Sequence, residues 1–107
     1  MKNIILFISV LFSVNAISWD GVASGKVEVI DITAESNLGF RVTLIASNNE
    51  FVTQCNSLTW AYLNKSSSNY QAYVSVLLAA KMAQTATTIY TTEDANGFCH
   101  IGYISIR

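Results

Sequence analysis

Charged side chains are scarce in this sequence, and proline is absent. Lys, Arg, Asp and Glu make up 12% of the 107 residues, whereas hydrophobic residues make up 51%. No run of basic residues is present, so a surface that binds a nucleic-acid phosphate backbone is not expected. So low a charge density is unusual for a lone domain in water. We therefore expect other subunits to cover part of its apolar surface.

The sequence also has few of the residues that catalysis or metal binding requires. One histidine, His100, and two cysteines, Cys55 and Cys99, do not supply the four ligands of a structural zinc site. No nucleophile motif, phosphate-binding loop or pair of carboxylates is apparent. To act as an acid or base, His100 would need a partner such as Glu93 or Asp94 within reach. We predict no catalytic residues, no metal and no cofactor, and a structural role for His100.

The first sixteen residues have the three-part layout of a secretory signal. A positive charge at Lys2 is followed by an apolar run from Ile4 to Val14, and small residues end at Ala16. The apolar run is too short to cross a hydrocarbon core of about 30 Å. We expect a signal peptide over 1–16, a single domain over 17–107, a secreted or periplasmic location and no membrane span.

Two cysteines remain after removal of the signal. Export places Cys55 and Cys99 in an oxidising compartment, where disulfides persist. A chain of about 90 residues is short for a stable single core, and a covalent cross-link compensates for that. We therefore predict a Cys55–Cys99 disulfide.

Alternating apolar residues predict three antiparallel strands in the first half of the domain. The first, over 26–33, changes phase near Val29, which indicates a bulge. The second runs from Phe40 to Ala46. The third covers 51–56 and carries Cys55, and the alternation continues through Leu58, Trp60 and Tyr62.

The second half predicts one helix and a hairpin. Ser66 to Asn69 are good N-cap residues, and the stretch from Tyr70 to Ala83 contains neither glycine nor proline. A hairpin over 87–92 and 98–106 follows, with its turn at 93–97. The sequence predicts a mainly β fold with one helix, in the order β-β-β-α-β-β. This order is typical of a small OB-fold-like barrel, a five-stranded Greek-key architecture.

The predicted helix is apolar around most of its circumference. Val76, Leu78 and Met82 broaden the apolar surface beyond the stripe that one contact would bury. We predict that these three residues form an interface between subunits of a homo-oligomer.

The segment Asp20-Gly21-Val22-Ala23-Ser24-Gly25 resembles a motif of the pertussis-like toxin binding-subunit family, which includes the B subunit of subtilase cytotoxin. The likeness extends to Trp19, to Cys55 with Trp60 after it, and to Thr88-Ile89-Tyr90 after the helix. Members of this family are bacterial, pentameric, glycan-binding proteins. The chain departs from them at Phe40-Arg41-Val42, where the relatives have a cysteine on the second strand.

The resemblance implies a binding site at the start of the first strand. In the family, the serine of the motif contacts the carboxylate of a terminal sialic acid, and Ser24 is the matching position. Asp20, Gly25 and Trp19 are the neighbours that the resemblance assigns to the same ligand-binding site. A hydroxyl beside backbone N–H groups can bind a carboxylate without a positive side chain. The other interpretation is that Ser24 and Gly25 only form a turn into the strand.

Two functions follow from these observations. The first is a secreted glycan-binding subunit of an AB-type toxin or toxin-like oligomer. By resemblance, this oligomer is a pentamer that binds a glycan or glycoprotein, and an exported enzymatic subunit is its possible partner. The second is an exported inhibitor or protein-binding factor without a sugar site. Neither function makes the chain an enzyme.

Overall fold

A computed structural model describes residues 18–107. The predicted signal peptide over 1–16 lies outside the described residues. The elements follow one another as three strands, a helix and two strands: β1 Gly21–Ile32, β2 Phe40–Ile45, β3 Trp60–Leu63, α1 Tyr70–Ala83, β4 Thr87–Glu93 and β5 Cys99–Ile106. A mainly β fold with one helix is thus confirmed.

The five strands form one closed sheet in the order β1-β2-β3-β5-β4. Every pairing is antiparallel except that of β3 with β5. Strand β1 closes the sheet because its first part, 21–25, pairs with β4 and its second part, 26–32, pairs with β2. A register shift between Val27 and Val29 marks the predicted bulge. Bending at a bulge lets one strand serve two neighbours.

The prediction of a strand that begins at Phe51 is wrong. Residues 51–56 make only isolated bridges, and β3 begins at Trp60. The reason is local: Asn56 and Ser57 have φ values of 47° and 63°. A left-handed backbone at two consecutive residues cannot continue an extended ladder. Within β3 the alternation does not hold either, because Ala61, Tyr62 and Leu63 are all buried.

The core fills the inside of the closed sheet. Strand β2 supplies Phe40, Val42 and Leu44, the residues that its alternation predicts. The disulfide between Cys55 and Cys99 is formed, with the Cα atoms 5.8 Å apart, as predicted. It joins the segment before β3 to the start of β5. The other buried hydrophobic residues that complete this cluster are Ala23, Val27, Ala61, Leu63, Leu77, Ala80, Ile89 and Ile101.

Helix α1 has the predicted bounds, Tyr70–Ala83. Its N-cap is Asn69, which has a φ of 60° and makes no side-chain capping bond. The helix therefore lacks the hydroxyl or amide cap that the residues from Ser66 to Asn69 led us to expect. Leu77 and Ala80 are buried on the barrel. Within the described part of the chain, neither this helix nor any other is long and apolar enough to span a bilayer.

Candidate functional site

Ser24 lies on the outer face of the barrel, where β1 pairs with β4. Its neighbour Ala23 points into the core, so the alternation of the strand turns the Ser24 hydroxyl outward. The register places Ser24 opposite Thr88. Their hydroxyl oxygens, Ser24 Oγ and Thr88 Oγ1, are 2.8 Å apart and solvent-accessible. The two side chains form a hydrogen-bonded hydroxyl pair on the surface.

Three aromatic side chains lie one row further along the same face. Tyr90 of β4 pairs with Tyr103 of β5, and their ring centroids are 4.8 Å apart. The Trp19 ring lies 5.7 Å from Tyr90 and is stacked on Tyr103 at 6.3 Å. Tyr103 is 50% exposed. We call Trp19, Tyr90 and Tyr103 the aromatic cluster; together with the Ser24–Thr88 pair it makes up the hydroxyl–aromatic face.

A bulge in β5 leaves room for the Trp19 ring over the strand. The β4–β5 register shifts after Tyr90, and Gly102 is the extra residue between the partners Ile101 and Tyr103. A Cβ atom on Gly102 would lie 2.6 Å from Cζ3 of Trp19, closer than carbon atoms can approach. Only glycine therefore lets the indole lie directly over the strand.

Asp20 and Gly25 shape the backbone around Ser24. The Asp20 N–H donates to the Thr91 carbonyl, and its carboxylate accepts from the Glu93 N–H at 2.7 Å. These bonds fix the segment that carries Trp19 against β4. Gly25 brings β1 close to β2, because a Cβ atom there would lie 2.5 Å from the Ile45 carbonyl oxygen. Of the four predicted ligand-binding residues, Ser24 and Trp19 belong to the outer face, whereas Asp20 and Gly25 position the chain.

A second group of polar side chains lies around β3 and the start of β5. The Tyr62 hydroxyl donates to Asp94 Oδ2 at 2.6 Å. Burial, and then this bond, raise the pKa of the Tyr62 phenol well above its ordinary range. The same bond lowers the pKa of the Asp94 carboxyl, and the N–H groups of Phe98 and Asn96 act in the same direction. The Asp94 carboxylate is thus held in its ionised form.

His100 belongs to this second group. Its Nε2 lies 2.9 Å from Ser67 Oγ, and its ring centroid is 5.2 Å from that of Tyr62. Ser67 Oγ also accepts from the Asn64 N–H. The hydrogen-bond partner of His100 is therefore a serine that is already bonded, rather than Glu93 or Asp94. We call Tyr62, Asp94, His100, Ser67 and Asn64 the bonded network.

The two groups offer different chemistry. Members of the bonded network are satisfied by one another, which favours stability over reactivity. The hydroxyl–aromatic face instead presents hydroxyl groups next to a flat apolar surface, an arrangement that suits a ligand with both a polar and an apolar side. Among residues 18–107, no three His, Cys, Asp or Glu side chains group as metal ligands.

Sequence reasoning did not identify Thr88, Tyr90 and Tyr103 as neighbours of Ser24. The alternation of β4 places Thr88 and Tyr90 on one face, and this part of the signal was available from the sequence. The contact with Ser24 depends on the closure of the sheet by β1 and β4, which brings together residues 64 positions apart. Comparisons with protein-family models, curated proteins and solved structures find no match to this chain.

Proposed function

We propose that this protein is an exported glycan-binding subunit that recognises an acidic, sialic-acid-type terminal sugar through the hydroxyl–aromatic face. The observation that carries the proposal is the position of Ser24. Its hydroxyl is exposed, is paired with Thr88 and lies one row from the aromatic cluster. This is the residue that the resemblance to the pertussis-like toxin binding subunits assigns to the sugar carboxylate.

The hydroxyl pair suits a carboxylate for a simple reason. Ser24 and Thr88 have two hydroxyl protons, and their mutual hydrogen bond uses one of them. The other proton remains free to donate to an anionic oxygen, and a hydrogen bond to a charged group is stronger than one between neutral groups. A carboxylate can therefore be bound without a cationic side chain.

The aromatic cluster suits the rest of the sugar. Tyr and Trp combine a large apolar surface with a polar edge, so they can cover the apolar face of a ring while its hydroxyl groups remain hydrated. The exposed ring of Tyr103 and the half-buried rings of Trp19 and Tyr90 provide such a surface. We propose that the domain that carries this face has an OB-type fold. The closed five-stranded sheet and the single helix support this proposal.

We further propose that the subunits assemble through α1. Val76 and Leu78 are 39% and 42% exposed, and Met82 is 86% exposed. Leu78 and Met82 lie on one side of the helix and Val76 on the other, so one neighbouring copy would cover Leu78 and Met82 and another copy would cover Val76, as in a closed ring. The resemblance makes a pentamer the expected assembly. An exported enzymatic subunit would then bind the assembled ring.

Replacing Leu78 with Glu tests this assembly. Burial of an unpaired carboxylate is costly, so Leu78→Glu should give folded monomers, whereas Ser36→Glu, which places the same carboxylate in the exposed loop between β1 and β2, should leave the oligomer intact. Light scattering at micromolar concentration measures the mass. A parent protein that is already monomeric under these conditions contradicts the proposed assembly.

The binding function is tested on a glycan array with the refolded mature protein. We expect signals on glycans with a terminal sialic acid and their loss on the same glycans after sialidase treatment. Equal signals before and after treatment, or signals on neutral glycans only, contradict an acidic terminal sugar.

The exposure of Ile32 and Phe51, which are 65% and 54% exposed, favours a second candidate, a protein-binding factor without a sugar site. Large apolar side chains on a surface often mark a protein interface. This candidate predicts an empty array. It also predicts that Ile32→Ser or Phe51→Ser disrupts complex formation, whereas Ser24→Ala does not.

A further inference from the structure

The turn between β4 and β5 contains a chemically reactive pair of residues, Asn96-Gly97. A backbone nitrogen can attack the side-chain carbonyl carbon of the asparagine that precedes it, and a side chain on the attacking residue hinders the approach. Glycine has no Cβ atom, and no other asparagine in the sequence is followed by glycine. The Gly97 nitrogen is therefore the least hindered nucleophile of this kind in the chain.

The turn exposes the Asn96 side chain but restrains the Gly97 nitrogen. Asn96 is exposed, so water reaches its amide. The Gly97 N–H donates to the Asp94 carbonyl at 3.0 Å, and the Asn96 N–H donates to Asp94 Oδ1 at 2.8 Å. The Gly97 nitrogen is free to attack only when its bond to Asp94 opens. Local fluctuation reaches this open turn, because a surface turn costs far less to open than the whole fold.

We propose that Asn96 is a modification site, at which the side-chain amide is lost spontaneously and more slowly in the folded protein than in the unfolded chain. The Gly97 nitrogen forms a bond to Cγ of Asn96, the bond from Cγ to Nδ2 breaks, and Nδ2 leaves as ammonia with the Gly97 amide proton. Water then opens the cyclic imide. Opening at Cγ gives aspartate, whereas opening at the backbone carbonyl gives isoaspartate, in which the chain continues through Cγ.

Either product acts on residues that hold the start of β5. A carboxylate at position 96 is two residues from the Asp94 carboxylate, and like charges repel. Isoaspartate also adds a carbon atom to the backbone just before Gly97, whose carbonyl accepts from Asn56 Nδ2 at 3.0 Å. The space there is small, because a Cβ atom on Gly97 would lie 2.9 Å from Asn56 Nδ2. The isoaspartate form should therefore lose this contact and unfold more easily.

Peptide mapping by mass spectrometry tests the modification. One sample of the mature protein is incubated folded in mildly alkaline buffer, and a second is incubated unfolded in urea. We expect the folded sample to form acid at Asn96 before it does so at Asn48 or Asn69, which are also exposed. The unfolded sample should react about fivefold faster at Asn96, as the loss of one hydrogen bond predicts. Electron-transfer fragmentation should identify part of the product as isoaspartate.

Two glutamine variants are the controls. Asn96→Gln lengthens the side chain, so that attack would close a less favourable six-membered ring, and acid should no longer form at this position. Asn48→Gln makes the same change in the turn after β2 and should leave the reaction at Asn96 unchanged. The proposal is overturned if acid forms at Asn48 or Asn69 as fast as at Asn96, or if the folded and unfolded samples react at the same rate.

Urea unfolding measures the consequence for the fold. The purified isoaspartate form should have a lower urea midpoint than the fresh parent, whereas incubated Asn96→Gln should keep its midpoint. Asn96→Asp adds the charge without the extra backbone carbon, so its midpoint should lie between those of the parent and the isoaspartate form. An isoaspartate form with the midpoint of the parent contradicts the effect on β5. These outcomes do not depend on sugar binding, so they are separate from the test of the glycan proposal.

Discussion

The hydroxyl–aromatic face and the bonded network lie on different parts of the same barrel surface, and they use polar side chains in opposite ways. In the bonded network, Tyr62 donates to Asp94 and Ser67 is shared by His100 and Asn64. On the hydroxyl–aromatic face, the Ser24 and Thr88 hydroxyl groups bond to each other at a solvent-accessible position. Polar groups that satisfy one another stabilise a fold, whereas exposed groups next to an apolar surface are available to a ligand.

The contrast between the bonded network and the hydroxyl–aromatic face predicts how mutations in each should act. Changes around the bonded network and the nearby disulfide should lower the free energy of unfolding. Changes on the hydroxyl–aromatic face should lower ligand affinity and leave the free energy of unfolding nearly unchanged.

The largest expected effect is that of removing the disulfide. Cys55 and Cys99 are 44 positions apart, and opening a loop of this length costs about 4 kcal/mol in the chain-entropy account. The double variant Cys55→Ala, Cys99→Ala should therefore lose about 4 kcal/mol of unfolding free energy, a large share of the total for a small domain. Urea unfolding followed by circular dichroism measures the loss. A decrease below about 1 kcal/mol would show that this side of the barrel does not depend on the cross-link.

A smaller effect is expected from Tyr62→Phe, which removes the hydrogen bond to Asp94. Tyr62 is buried, and the loss of one such bond should lower the free energy of unfolding by about 1 kcal/mol at neutral pH. Tyr103→Phe, which changes an exposed tyrosine on the other face, is the control and should have almost no effect.

The loss of unfolding free energy in Tyr62→Phe should become smaller as the pH falls into the acidic range. The pKa of Asp94 is lower in the folded protein than its ordinary value of 3.8. The ionised carboxylate therefore contributes stability that is fully present above about pH 4 and is lost as the pH falls through the folded pKa. The difference between the parent and Tyr62→Phe should shrink in that acidic range. A difference that stays constant from neutral pH to pH 3 contradicts the role of the Tyr62–Asp94 bond.

Local patterns were sufficient to predict part of the fold. The alternation from Phe40 to Leu44 identified the inward residues of β2, and the lack of glycine and proline identified α1. Two cysteines in an exported chain allowed only one pairing. Export itself, inferred from residues 1–16, remains a prediction.

Long-range geometry accounts for most of what the sequence did not predict. The left-handed backbone at Asn56 and Ser57 ended a pattern that otherwise continued to Tyr62. The aromatic cluster depends on the closure of the sheet, which leaves no local pattern, and on the bulge at Gly102, for which the single glycine within the strand was the available signal. The resemblance to the toxin binding subunits pointed to Ser24 and Trp19, but it did not point to the residues that lie beside them on the face.

The central claim is that the Ser24 hydroxyl contacts the carboxylate of a sugar. Ser24→Ala should weaken the binding of monovalent sialyllactose about tenfold or more, as expected for a lost hydrogen bond to a charged group. A monovalent probe is required because several linked sites would compensate for a weak contact. Ser36→Ala changes an exposed serine in the loop between β1 and β2 and is the control. Calorimetric titration should give a tenfold weaker affinity for Ser24→Ala with an unchanged urea midpoint, and equal affinities for Ser24→Ala and the parent would contradict the account.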